Sequence, residues 1–320
     1  MTYNALIDRT DAGPLIPEEA SREIIKEAVE GSAIMRMVPT AQTRRLSRAQ
    51  QRLPVLSLFP IAYWVTGDSG LKQTADQAWK NVYINVEELA AIVTIPEAVL
   101  DDQDYDIWGE VRPSLAAAIG KAFDQAVVYG TNAPASFPDD LMTQITAAGH
   151  AVELGSVGTD LYDDLLAEGG VLAKVEEDGY MVTGHIAALS MRAKLRGLRD
   201  TSGQPLFTTD LKEKHRYALD GEPLDFPQNG AIDPAQALLV SGDFSKIVVG
   251  LRQDLRWKVL TESVIQDETG AIVYNLAQQD MVGLRVTFRV GWAHPNPVNA
   301  INSDDETRLA FAALTPAASS

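Results

Sequence analysis

The chain has 320 residues, 46% of them hydrophobic and 22% charged, with no cysteine and a formal net charge of −17. Length and composition fit a globular protein of one or two domains with ample apolar residues for a core. The acidic total argues against nucleic acid as the main ligand, which needs clustered Lys and Arg, and the lack of cysteine excludes disulfides and thiolate metal sites.

No apolar run approaches the roughly 18 residues needed to cross a bilayer, so no membrane partner is expected. The first residues, MTYNALIDRTDAGPLIPEEA, lack the charged-then-apolar pattern of a secretory signal, and a cytosolic folding compartment fits. Residues 1–16 carry little periodicity and read as an extended arm. Pro17 then opens a helix, with Glu18 and Glu19 in its first turn, Ile24, Ile25, Ala28 and Val29 on one face, and Gly31 at its end.

Charge is unevenly spread. Between Gly31 and Gly67 there is no acidic residue, yet Arg36, Arg44, Arg45, Arg48 and Arg52 all fall there; setting these five aside from the total of −17 leaves about −22 on the rest. Two readings stand: a solvated basic loop, or a segment that leaves its own body to meet an acidic surface.

From Leu53 to Glu88, Pro54 and Pro60 punctuate short apolar pieces. Ala62–Thr66 and Lys80–Glu87 read as strands, the second with Val82, Ile84 and Val86 alternating against polar partners. The polar stretch GDSGLKQTADQAW between them makes the pair an extended two-stranded arm. Such a ribbon is marginal alone in water, so Trp64 and Trp79 need a surface. They either fold back on their own domain or lie across a neighbouring copy.

Leu89–Ile95 is a nearly continuous apolar run, as expected of a buried strand. Then comes the longest helix signal. From Asp106, apolar residues at Ile107, Val111, Leu115, Ala118, Ile119, Ala122, Phe123, Ala126 and Val127 trace one helical face. Asp101, Asp102, Asp104 and Asp106 supply cap candidates and negative charge at its start, and Gly130 closes it. Pro113 is expected to bend this rod or split off a short leading helix.

Beyond a loop at TNAPASFPDD, Thr159–Glu177 reads as a helix weakened by Gly169 and Gly170. Gly179–His185 reads as a strand and Ile186–Arg199 as a basic amphipathic helix. DTSGQP is a turn, and Tyr217–Leu219 and Pro223–Phe226 are short strands. Ala237–Val240 is a core strand, followed by a strand-rich stretch and a turn at Asp267–Gly270. Met281–Trp292 alternates best of all, with Val282, Leu284, Val286, Phe288 and Val290 opposite Arg285, Thr287 and Arg289. The last ten residues fade into an Ala/Ser-rich tail. The order implies a split unit of rod, early strand and late strand, with roughly 131–275 inserted.

Signals of chemistry are few. His150, His185, His215 and His294 are scattered without ligand spacing, and no nucleophile elbow or phosphate-cradling loop occurs. Asp102, Asp104 and Asp106 imitate the opening of a calcium loop, but its sixth and twelfth positions fall on Ile107 and Pro113. No cofactor, metal or catalytic residue is expected.

Four stretches together carry a resemblance: PLIPEEASREIIKEAVEGSAIMRMV, QRLPVLSLFPIAYWVTGDSGLKQTADQAW, EELAAIVTIPEAVLDDQDYDIWGEVRPSLAAAIGKAFDQAVVYGT, and VSGDFSKIVVGLRQDL with YNLAQQDMVGLRVTFRVGW. In this order they resemble the major capsid proteins of tailed bacteriophages, the HK ninety-seven fold that encapsulin shells share. The resemblance implies an α+β chain: an N-arm with its helix over 1–39, an extended E-loop over 40–88, and a peripheral (P) domain begun by 89–130 with the spine helix. An axial (A) domain over 131–275 follows, and 276–320 supplies the return strand and C-terminal tail. It implies pentamers and hexamers closing an icosahedral shell around double-stranded DNA held without sequence-specific contacts, a virion location, and assembly in the host bacterial cytoplasm. A scaffolding protein, a portal and a decoration protein are the partners it suggests. A nanocompartment shell of the encapsulin type is the alternative.

Some relatives join an E-loop lysine to a neighbour's asparagine with help from a glutamate. Lys72 stands at the matching place and Asn296, Asn299 and Asn302 in the late loop, but no glutamate matches. The expected contacts between copies join Arg44, Arg45, Arg48 and Arg52 to carboxylates such as Asp101, Asp102, Asp104 or Glu110, with Trp64, Lys72 and Trp79 on the arm.

Overall fold

The computed structural model describes residues 31–65, 72, 74–98, 107–158, 160–198, 217–267 and 269–317, apart from the side chains of 107–112 and 254. The helix expected over Pro17–Gly31 and the turn at Asp200–Pro205 lie outside these residues or almost wholly so.

The alternating stretch at 281–293 is a 13-residue strand, β13 (Met281–Ala293), and it organises a four-stranded sheet. On one side it pairs antiparallel with β10 (Val248–Leu260), which pairs in parallel with β1 (Thr43–Arg45). On the other it pairs antiparallel with β4 (Glu87–Pro96), in unbroken register from Met281 opposite Pro96 to Val290 opposite Glu87. β10 carries the bulges, between Leu251 and Arg256. β4 differs from expectation. As an edge strand it buries only Ile95 fully, with Leu89, Ala91 and Val93 half-buried on the same face, and Ala90 and Ile92 on its other face are exposed.

Leu284, Val286, Phe288, Val290 and Trp292 line the core face of β13, because successive side chains of a strand point to opposite sides. Against this face lies the rod, α2 (Ile107–Tyr129), which follows the short α1 (Ala33–Met37). Ile119, Phe123 and Val127 enter the same core, and Ala122 and Ala126 share a cleft with Leu89 and Val290. At 23 residues α2 is about 35 Å long. From Ile107 it is continuous through Pro113, so within these residues the proline splits off no leading helix. The backbone leaves it at Gly130 with φ 64°.

A second, six-stranded sheet runs β5 (Ala151–Glu153), β14 (Phe311–Thr315), β9 (Leu239–Gly242), β6 (Gly184–Ala187), β8 (Glu222–Asp225) and β7 (Ala218–Leu219). Four helices accompany it: α3 (Leu141–Ala148), α4 (Leu161–Leu166), α5 (Val171–Glu177) and α6 (Met191–Gly197). The helix expected over Thr159–Glu177 is two, broken where Gly169 takes φ 81°. The strand expected over Gly179–His185 is shifted to 184–187, taking in Ile186 and leaving α6 shorter than expected.

Two assignments cross the expected boundaries. β10 lies within 131–275 but belongs to the first sheet. The residues read as a fading tail include β14, an interior strand of the second sheet whose Phe311, Ala312, Ala313 and Leu314 are wholly buried.

Two pairs stand apart from these sheets: β11 (Val264–Gln266) with β12 (Ile272–Asn275), and β2 (Gln50–Leu58) with β3 (Ala78–Asn85), the latter from Gln50 opposite Asn85 to Leu58 opposite Ala78. The arm is real but its first strand is not where the sequence put it. Residues 62–65 form no strand, and Pro54 sits inside β2, a position open to proline because that strand has a free edge.

Candidate functional site

The ribbon divides into a base that is held and a tip that is not. At the base, Leu53, Val55 and Ile84 are buried in a small core with Leu46, Val248 and Ala293. Their approach depends on glycine. Gly250 and Gly291 face each other across β10 and β13, and a Cβ on Gly250 would stand 2.6 Å from Leu46 Cδ1 and 2.9 Å from Ile84 Cγ2. A Cβ on Gly291 would strike the carbonyl of Asn85. Two side-chain-free positions make a platform on the sheet, on which the ribbon rests. The Val298 amide donates to Leu56 O at 3.0 Å, and Lys80 Nζ pairs with Asp305. Leu56 and Lys80 are thus the outermost points of the ribbon tied to the body by these bonds.

Past them the described apolar side chains face water. Phe59, Ile61, Tyr63 and Val65 are all exposed, Trp64 completely so, and Trp79 is 64% exposed on β3. Lys72 is exposed as well. Burying an aromatic side chain is worth about 1.5–3 kcal/mol, so this cluster leaves a substantial favourable free energy unrealised in one copy.

The arginines of the acid-free stretch gather at the base, not the tip. Arg44 and Arg45 lie on β1, Arg48 in the bend that follows and Arg52 on β2, all exposed. Among the described side chains no carboxylate forms an ion pair with Arg44, Arg48 or Arg52. Arg36, by contrast, pairs with Asp225 at 2.5 Å within its own chain. Asp101, Asp102 and Asp104 lie outside the described residues. Glu110 is in the first turns of α2, its side chain undescribed. All four arginines are thus exposed on the segments at the ribbon base, and the carboxylates expected to meet them belong to another copy of the chain.

One residue invisible to pattern reading fixes where the N-terminal segment meets the rod. Asp124 is fully buried on α2. It accepts from Ser32 Oγ at 2.5 Å, from the amides of Ala33 at 2.8 Å and Ile34 at 3.2 Å, and from Asn229 Nδ2 at 3.4 Å. Burial pushes its carboxyl up to about 6 against the downward pull of those hydrogen bonds. One turn earlier, a Cβ on Gly120 would stand 2.7 Å from Gly31 C and 2.9 Å from Ser32 N, so glycine admits the crossing chain. The available signal is a glycine and an acid four apart on an otherwise apolar helix face.

The late loop is an internal network. Arg308, almost wholly buried, donates to Asn296 Oδ1 and O, to Asn302 O and to Asp305 Oδ1. Asn299 Nδ2 donates to Asp178 O, and Asn302 Nδ2 to Asp178 Oδ1. All three asparagines considered as partners for Lys72 have amide groups engaged at home, which weighs against a covalent link. His185 bonds Ser241 Oγ at 2.8 Å and Leu219 O at 3.1 Å, and His294 bonds Gln144 Oε1 at 3.0 Å. Burial pushes both imidazoles down to about 4. His215 lies outside the described residues.

With this geometry in hand, known proteins of the same build can be recognised. The sequence matches the phage capsid family over residues 12–302. The major capsid protein of Staphylococcus phage 80alpha is 26% identical over 318 residues, covering 98% of this chain and 88% of that protein. Among solved structures, one from Microbacterium phage Oxtober96 is 34% identical with a TM-score of 0.75, covering 89% of this chain and 91% of that one. Another, from Mycobacterium phage Cain, is 29% identical with a TM-score of 0.77, covering 91% and 92%.

Proposed function

The chain belongs to the phage capsid family, and from that premise we propose that it is a major capsid protein whose pentamers and hexamers close an icosahedral shell around double-stranded phage DNA. It is then a component of the virion, put together in the host bacterial cytoplasm. The observation that carries the reading is the ribbon tip. A single copy ties the ribbon down as far as Leu56 and Lys80 and leaves the aromatics beyond them in water. Sister copies arranged in a lattice supply the absent surface.

On this reading residues 1–39 act as the N-arm, 40–88 as the E-loop, α2 as the spine of the P-domain and the six-stranded sheet as the body of the A-domain. Arg44, Arg45, Arg48 and Arg52 meet carboxylates of a neighbour, Asp101, Asp102, Asp104 or Glu110. Exposed ion pairs are worth about 0–1 kcal/mol each, so they set register and rate, while Trp64 and Trp79 supply most of the affinity. A scaffolding protein, a portal and a decoration protein complete the particle. The acidic body limits sticking to the packaged genome.

The test is to express the chain, alone and with the scaffolding partner from its own genome, then apply size-exclusion chromatography and electron microscopy. Closed shells or ring-shaped capsomers are expected. A sharp peak at the subunit mass of 34.7 kDa under both conditions would overturn the reading.

A further inference from the structure

Among the described residues, the face of the four-stranded sheet that turns away from α2 is only half covered. Alternation along β13 places Arg285, Thr287, Arg289, Gly291 and Ala293 on that face. The ribbon base occupies the Gly291 and Ala293 end. At the other end Arg256 stands opposite Thr287, Lys258 opposite Arg285, and Ile92 and Ala90 complete the rows from β4. Arg256, Lys258, Arg285 and Arg289 form a cationic patch in a chain of net charge −17. Glu88 pairs with Arg289 at 2.5 Å, and among the described side chains no carboxylate forms an ion pair with the other three.

Lys258 directly opposite Arg285 is a fault if the subunit stands alone. Like charges facing each other across a strand pair are destabilising, and a local rule broken without compensation among the described side chains points to a partner beyond them. The rim identifies the kind of partner. Ile92, nearly half exposed, and the exposed Ala90 flank the cations from β4, so the face offers apolar contact as well as charge. That mixture suits a polypeptide better than a phosphate backbone, which asks for cations alone. The available acidic polypeptide is the chain itself, and its densest run is Glu97–Asp106, EAVLDDQDYD, with five carboxylates, no cation, and Val99, Leu100 and Tyr105 between them.

We propose that this open half of the sheet is a docking surface for a second copy of the chain, which lays the acidic stretch 97–106 over Arg256, Lys258 and Arg285. The proposal rests on the self-assembly reading and adds a contact to it. It places the neighbour's carboxylates on the sheet as well as at the arginines of the ribbon base.

The test uses assembled particles made from a mixture of isotopically heavy and light chains, treated with a carbodiimide and digested for mass spectrometry. The reagent joins an amine to a carboxylate in direct contact. Links between Lys258 and a carboxylate of 97–106 in heavy–light pairs are the expected result. Links found only within one copy, links to acids elsewhere, or no link at Lys258 overturn the proposal. A second arm pairs Lys258→Gln with Arg285→Gln. Removal of the like-charge pair leaves the melting temperature of the unassembled subunit unchanged or higher, while particle yield falls about tenfold at low salt, a change equivalent to about 1.4 kcal/mol. Unchanged yield and salt dependence overturn it, as does unchanged yield with loss of double-stranded DNA retention, which would assign the face to nucleic acid. Wild-type particles with indifferent variants sink this contact alone; a wild-type chain that never assembles sinks the capsid reading and this contact together.

Discussion

Trp292 and Trp64 are the same residue under opposite conditions. Trp292 is fully buried on the core face of β13, whereas Trp64 is fully exposed beyond the last point where the ribbon is tied down. The first belongs to a close-packed body in which His185, Arg308 and Asp124 are each buried and hydrogen-bonded. The second belongs to the tip of a limb whose aromatic groups stand exposed in one copy. A buried aromatic reports on the stability of one subunit and an exposed cluster of them reports on the lattice. Mutations can separate the two.

The largest effect on the isolated subunit is expected for Trp292→Ala, a loss of about 3–5 kcal/mol, read by denaturant unfolding. Asp124→Ala comes next. It leaves the Ser32 hydroxyl and the amides of Ala33 and Ile34 without their buried acceptor, at about 2–4 kcal/mol, and exposes the junction at residue 31 to limited proteolysis. If Asp124→Ala unfolds no more readily than wild type, the carboxylate is not the anchor described here.

Acid should weaken the body before it touches the limb. His185 and His294 are held at about 4 in the folded chain and titrate near 6.5 when unfolded. The unfolded state therefore binds more protons between these values. Their contribution is complete above pH 6.5 and is lost as pH falls toward 4. Asp124 acts in the opposite sense, since its raised value of about 6 makes the folded state the better proton binder between 3.8 and 6. Two histidines outweigh one aspartate, so the melting temperature should drop from pH 6.5 to 4, and His185→Gln should flatten that slope. A flat profile in the wild type would contradict the burial of both rings.

The smallest effect on stability, and the sharpest contrast, belongs to Trp64→Ala. The subunit should melt within about 0.5 kcal/mol of wild type, yet yield far fewer particles in electron micrographs. Equal loss in both measurements would erase the distinction between body and limb.

Long, strictly periodic pieces were legible from residues alone. β13 and α2 stand within a residue of their expected limits, because a face of 13 or 23 residues averages over local exceptions. The ribbon was legible as an arm but not in detail. The aromatic run at 62–65 has strand propensity and no strand, while β2 hides behind Pro54. Propensity of that kind describes a surface waiting to be packed, and the packing is absent in one copy. β14 was missed because AFAALT is small, apolar and unpatterned; only burial between two other strands makes it a strand. Among site residues, the arginines, Trp64 and Trp79 are exposed as the sequence implied. The Gly250–Gly291 platform and the Asp124 anchor escaped, since each consists of a contact between segments far apart in the chain.

The position of β14 has a temporal consequence. It lies between β5 and β9, made some 70 to 160 residues earlier, and Phe311 packs edge-on against Phe244 and His294. While a ribosome is still adding those residues, β5 and β9 have no strand between them and the six-stranded sheet cannot close. A subunit broken off during translation therefore lacks a finished second sheet, so the growing lattice is offered finished bodies only.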